Sequence, residues 1–183
     1  MCGSGAQVLE PGWGLLPLLV IVPGYLWLHR GRLVERRTWL VLAAVVYLAV
    51  LLSLTFMPLP LPPYEIEPGC PYLYTRPFGT IGPALQSGFA SPEGRFLIGN
   101  VLAFVPAGIL LPLLRGDRRP WLAALAGGFA LSVAIELGQL AASLVIGYPY
   151  RQADVDDVIV NTVGAGVGYL LLAGGQLFRR RGG

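Results

Sequence analysis

Charge is scarce in this sequence, and so are the side chains that soluble enzymes rely on. Of its 183 residues only 13% are Asp, Glu, Lys or Arg, against roughly 25% in an ordinary soluble domain. Lysine is absent, so all 13 basic residues are Arg, and His29 is the single histidine. Such a chain has too little polar surface to coat a water-soluble domain of its size. His29 falls at the end of the first apolar run, remote from the polar residues of 100–161, which excludes Ser-His-acid hydrolysis, histidine-based phosphatase chemistry and a His-containing zinc site there. The two cysteines, Cys2 and Cys70, follow no CxxC spacing, so neither a structural zinc site nor a thioredoxin-like redox centre is suggested. The lack of an internal repeat argues against an inverted-repeat transporter.

Long apolar runs take the place of charge. The chain is 55% hydrophobic, with a mean hydropathy of +0.65. Five runs, 11–28, 38–57, 96–114, 121–147 and 158–178, are long enough to cross a hydrocarbon core of roughly 30 Å as helices. The expected fold is therefore all-α, a polytopic membrane protein. Its parts are an N-terminal segment 1–37 with the first span, a membrane domain 38–178 and an Arg-rich tail 179–183. No Arg precedes the first run, unlike the positive n-region of a cleavable signal peptide. Arg30, Arg32, Arg36 and Arg37 follow span one, Arg115, Arg118 and Arg119 follow span three, and Arg179, Arg180 and Arg181 follow span five. Ten of the 13 arginines thus share one side, which the positive-inside rule names cytoplasmic, leaving the N-terminus outside and the C-terminus inside. This clustering between spans reads as topology, so no nucleic-acid partner is expected.

The segments 58–95 and 148–156 then lie outside. The first opens MPLPLPPY; proline cannot continue a helix, and extended polyproline-like backbone is expected there. Cys2 and Cys70 share this disulfide-permissive side, although their pairing is not legible from sequence.

Polar residues within spans are expensive, about 2.5 to 3.5 kcal/mol for an ionised group. Ser132, Glu136, Gln139 and Ser143 fall on one stripe of span four at helical spacing, and Asp157, Asn161, Gly164 and Gly168 on one stripe of span five. Gly164 and Gly168 form GxxxG, which favours close helix packing. Span three adds Asn100 near its outer end, with Pro106 below it. An outward-opening polar recess is inferred, lined by Asn100, Glu136, Gln139 and Asn161 and rimmed by Arg151, Asp154, Asp156 and Asp157. Simpler roles fit the same residues. Asp154 and Asp157 suit an N-cap and its N3 partner, Arg151 a local ion pair, and Glu136 with Gln139 an interhelical clamp. The inventory of carboxylates, amides and one Arg suits either of two chemistries: a hard divalent cation held against a phosphate, or a polar headgroup bound without reaction.

The segments IGNVLAFVPAGILLPLL, IELGQL and YRQADVDDVIVNTVGAGVGYLL, with RPFGTIGPAL before them, resemble the VanZ-like family. The residues that carry the resemblance are Pro77, Phe78, Thr80 and Ile81, then Asn100, Phe104, Pro106 and Gly108, then Glu136 and Gln139, then Arg151, Asp154, Asp157, Asn161 and Gly164, over about residues 40 to 175. The resemblance implies a small multi-pass protein of the bacterial cell membrane, linked to lowered sensitivity to teicoplanin and related lipoglycopeptides, with no settled reaction. The expected function is binding of a lipid headgroup, a lipid-linked cell-wall precursor or a lipoglycopeptide-related ligand by Asn100, Glu136, Gln139, Arg151, Asp154, Asp157 and Asn161. Pro106, Gly108, Gly164 and Gly168 are expected to pack helices. The alternative is a membrane enzyme acting on a lipid phosphate or glycolipid, with Glu136, Asp154 and Asp157 as candidate catalytic carboxylates. Neither a resident metal nor a cofactor is assigned, and membrane lipids are the expected surroundings.

Overall fold

A computed structural model describes residues 3–57, 59–66, 69–116 and 118–181. It is mostly helical, with five helical stretches long and apolar enough to cross a membrane: Pro11–Leu28, Arg36–Phe56, Pro92–Arg115, Pro120–Ile146 and Val155–Phe178. The first combines a 3-10 turn at Pro11–Leu15 with α1 (Leu18–Leu28), which starts after Pro17. The others are α2 (Arg36–Phe56), α4 (Pro92–Arg115), α5 (Pro120–Ile146) and α6 (Val155–Arg181), with the short α3 (Ile81–Ser87) between α2 and α4.

Local chemistry explains where these helices begin and end. α4 starts four residues before the apolar run because Ser91 caps it, its Oγ accepting from the Gly94 N–H at 2.9 Å. Pro92 stands at the first helical position, where a missing N–H does no harm. At the other end Gly116 adopts φ 64° and returns its N–H to the Pro112 carbonyl, a left-handed stop. Pro106, half-buried, and Pro112, buried, lie inside the same helix.

Two strand pairs depart from an all-α reading. β1 (Gly3–Leu9) runs antiparallel to β2 (Leu59–Ile66), from Gly3 opposite Ile66 to Leu9 opposite Leu59, with a register shift between Gly5 and Gln7. The prolines of 59–66 are thus part of a ladder and not free polyproline. Pro62 and Pro63 fall at that shift, where the ladder is interrupted and a strand tolerates proline. The second pair is parallel and minimal, β3 (Leu73–Tyr74) against β4 (Ala153–Asp154). Cys70 is disulfide-bonded; Cys2, and with it the Cys2–Cys70 pairing, lies outside the described residues, as do the last two residues of the 179–183 tail.

The chain forms two compact units, residues 1–72 with 138–152, and residues 73–137 with 153–183. In the first, α2 is tied to the N-terminal stretch by the Ser53 hydroxyl donating to the Pro11 carbonyl and by the Tyr25 hydroxyl donating to the Thr38 carbonyl at 3.2 Å. The core of the second is the close pairing of α4 with α6. Gly164 lies on the Val101 carbonyl, Gly168 on the Val105 carbonyl and Gly108 on the Ala165 carbonyl, each so near that a Cβ would overlap backbone. Dispersion between such closely set backbones drives association where the surrounding solvent is itself apolar. Leu102, Leu137 and Leu170 are at least 60% exposed, as expected of side chains bathed in hydrocarbon.

Candidate functional site

The acidic cluster of the second unit is organised around the start of α6. Asp154 precedes the helix, and its Oδ1 accepts from the Asp156 N–H at 2.9 Å, an N-cap bond. Asp156 is almost fully buried and points back at residues 78–81. Its Oδ1 accepts from the Phe78 N–H at 2.6 Å, and its Oδ2 from the Thr80 N–H at 2.8 Å, the Thr80 hydroxyl at 2.8 Å and the Ile81 N–H at 3.0 Å. That one carboxylate therefore shapes the turn into α3 and helps hold Phe78 at φ 61°, a left-handed conformation that a bulky residue adopts only when its surroundings impose it.

The neighbouring acids are engaged in the same manner. Glu136 Oε2 accepts from the Asp154 N–H at 2.8 Å, and Asp157 Oδ1 accepts from Asn100 Nδ2 at 2.8 Å. Asp157 is thus not the reciprocal partner of the cap, because Glu136 on α5 takes the N–H that a capping box would use. Asn161 donates through Nδ2 to Ser132 Oγ at 2.9 Å, while its Oδ1 is buried with no hydrogen-bond partner among the described residues. Burial raises the pKa of Asp154, against the lowering effect of the Asp156 N–H and the Thr80 hydroxyl. Among the described residues no group of three or more His, Cys, Asp or Glu is placed to hold a metal ion; these carboxylates accept from protein donors instead.

The remaining predicted residues belong to the first unit. Gln139 Nε2 donates to the Thr55 carbonyl at 2.8 Å, tying α5 to the last turn of α2. Ser143 is completely buried and anchors the segment after α5, its hydroxyl donating to the Arg151 carbonyl at 2.7 Å while accepting the Arg151 N–H at 3.3 Å. Gln152 Nε2 reaches the Pro71 carbonyl at 3.2 Å. The backbone on both sides of the Arg151 side chain is thereby fixed.

That side chain donates through Nη2 to the Met57 carbonyl. Among the described residues of its unit no carboxylate pairs with it; the ion pair present among the described residues is the exposed Arg32–Glu35 contact at 4.0 Å. Burial lowers the pKa of Arg151, partly offset by Tyr150. Tyr150 is itself buried, its pKa raised by desolvation, and its hydroxyl has no hydrogen-bond partner among the described residues. A guanidinium carries five N–H donors, so residues 150–151 hold more donor capacity than the described residues of their unit use.

Sequence reasoning placed Asp156 on the rim without a role and gave Tyr150 none. The signal for Asp156 lies in PFGTI, whose Phe78, Thr80 and Ile81 N–H groups and single Thr80 hydroxyl need an acceptor; Tyr150 gives no signal beyond lying beside Arg151. Comparison with curated proteins and with solved structures yields no significant match. Residues 44–179, which include both constellations, match the VanZ/LLP1 family, and the chain belongs to that family.

Proposed function

We propose that the chain is a multi-pass protein of the bacterial cell membrane that binds an anionic lipid headgroup or lipid-linked cell-wall precursor on the outer side, and thereby lowers sensitivity to teicoplanin-type lipoglycopeptides. The observation that supports this reading best is the surplus of donors at residues 150–151. Among the described residues of its unit, the half-buried Arg151 has a single carbonyl partner and the buried Tyr150 hydroxyl has none. A guanidinium fork matches phosphate or carboxylate geometry in two parallel hydrogen bonds, and a desolvated setting strengthens them. Asn100, Glu136, Gln139, Asp154, Asp157 and Asn161 hold the helices and the α6 cap in place, so their role is positioning. The enzyme alternative would use Glu136, Asp154 or Asp157 through the second carboxylate oxygen, because one oxygen of each already accepts a protein N–H.

In this reading the N-terminus is outside and the C-terminus cytoplasmic, from the distribution of arginines. The test is teicoplanin susceptibility of a sensitive Gram-positive host expressing the intact chain against an empty vector, with topology mapped by reporter fusions at both ends. Lowered susceptibility with an outer N-terminus is the expected result. Unchanged susceptibility at full membrane insertion would remove the resistance role and leave the family and the fold.

A further inference from the structure

A second basic feature lies elsewhere in the molecule. A cavity of about 520 Å³ opens between the end of α4 and the start of α5, lined by Arg115, Arg118, Arg119, Leu122, Ala123 and Ala126. Its volume is in the range of small-molecule sites. All six residues belong to the second unit, so the cavity is internal to that unit. Its lining combines three arginines with leucine and alanine from the first turns of a membrane-spanning helix, and most of the exposed lining is apolar.

The charge arrangement calls for an anion. Arg115 lies in the last turn of α4, where a cation is favoured by the helix dipole. Arg118 and Arg119 lie immediately before α5, where the dipole is positive and a cation is disfavoured. The first turn of α5 supplies no acidic residue in compensation. Three arginines stand against one acid in the 115–119 stretch, Asp117, which lies outside the described residues. Topology alone accounts for arginines following a span, but it does not call for a cavity that joins them to an apolar wall.

We propose that this cavity binds the headgroup of an anionic phospholipid, its phosphate meeting Arg118 and Arg119 and its acyl chain lying against Leu122, Ala123 and Ala126. The apolar wall at the mouth of a membrane span selects a lipid over a free anion, because a free phosphate gains nothing from it. Basic pockets between membrane helices hold anionic headgroups by this combination of charge and adjacent hydrocarbon. The site is separate from Arg151 and stands or falls independently of the resistance reading.

The experiment uses the full chain in nanodiscs of zwitterionic phosphatidylcholine, titrated with phosphatidylglycerol and read by mass spectrometry of the retained lipid. The intact protein should retain phosphatidylglycerol in preference to phosphatidylcholine. Replacing both Arg118→Gln and Arg119→Gln should weaken retention about 25-fold, from two basic residues worth roughly fivefold each. Arg30→Gln with Arg32→Gln removes the same charge from another Arg-rich loop and should leave retention unchanged. Ala126→Phe, at an exposed position, fills the apolar wall without altering charge and should abolish retention while the fold persists. Equal losses in the two double-arginine variants would reduce the effect to general surface charge and overturn the site. Binding of inorganic phosphate alone as tightly as the lipid would overturn the lipid as occupant, and so would retention unaffected by Ala126→Phe.

Discussion

The start of α6 and the segment that carries Arg151 are neighbours in sequence, yet they use their polar groups in opposite ways. At the start of α6, four acidic residues lie within two α-helical faces and a cap, and hydrogen bonds from the protein reach all of them: Glu136 from the Asp154 N–H, Asp154 from the Asp156 N–H, Asp156 from the 78–81 turn and Asp157 from Asn100. At 150–151, a guanidinium and a buried phenol together make one hydrogen bond to the described residues of their unit. Buried polar groups are normally satisfied, and those that are not call for an explanation. Among the described residues, the contrast separates carboxylates engaged by protein donors from donors that their unit leaves largely unused. It also explains how a small membrane domain tolerates four acids: each sits where a backbone or amide donor offsets part of its desolvation.

The contrast can be broken most forcefully at Asp156. Asp156→Ala leaves the Phe78, Thr80 and Ile81 N–H groups without their acceptor and should cost about 3 kcal/mol or more, read as a large drop in melting temperature or loss of the protein from the membrane. Gly164→Leu comes next. Its side chain would collide with the Val101 carbonyl, and separating α4 from α6 should cost about 1 to 3 kcal/mol; thermal unfolding in detergent checks it. At Asp154, removal of the cap by Asp154→Ala should cost about 1 kcal/mol, whereas Asp154→Asn caps as well as Asp and should be nearly neutral.

A pH titration sharpens that pair. Burial places the folded-state pKa of Asp154 above its ordinary value of 3.8. The protonated form is therefore favoured in the fold, and the stability linked to it is fully present below the ordinary value and lost as pH rises through the raised one. Asp154→Asn should flatten this part of the pH–stability curve. The smallest effect is a gain: Phe78→Gly should relieve the left-handed strain, worth about 1 kcal/mol, set against a side chain that is 64% exposed and packs little.

Much of this architecture was legible in the sequence for simple physical reasons. Hydrocarbon thickness forces long uncharged runs, and all five fall within about four residues of the observed helices. The α4 start was missed because its cap, Ser91-Pro92-Glu93, lies outside the apolar run that marked the span. The β1–β2 ribbon was missed because the prolines of 59–66 speak against a strand, and only a partner from the far N-terminus makes them acceptable. At the site, helical periodicity found the buried stripe of Ser132, Glu136, Gln139 and Ser143. It could not say which donor each would meet, because Asp156 is matched to Phe78, Thr80 and Ile81 across more than 70 residues of chain. Long-range hydrogen-bond pairing leaves no local periodicity to read.

The central claim is that Arg151 meets the ligand while the acids hold the scaffold. Its most direct test is to compare Arg151→Ala with Glu136→Gln at matched membrane levels, measuring teicoplanin susceptibility and melting temperature for both. The expected result is that Arg151→Ala abolishes the protection conferred by the intact chain with little change in melting temperature, while Glu136→Gln, which keeps an oxygen acceptor for the Asp154 N–H, retains it. Loss of protection in Glu136→Gln with Arg151→Ala fully active would contradict the claim and move the chemistry to the acids.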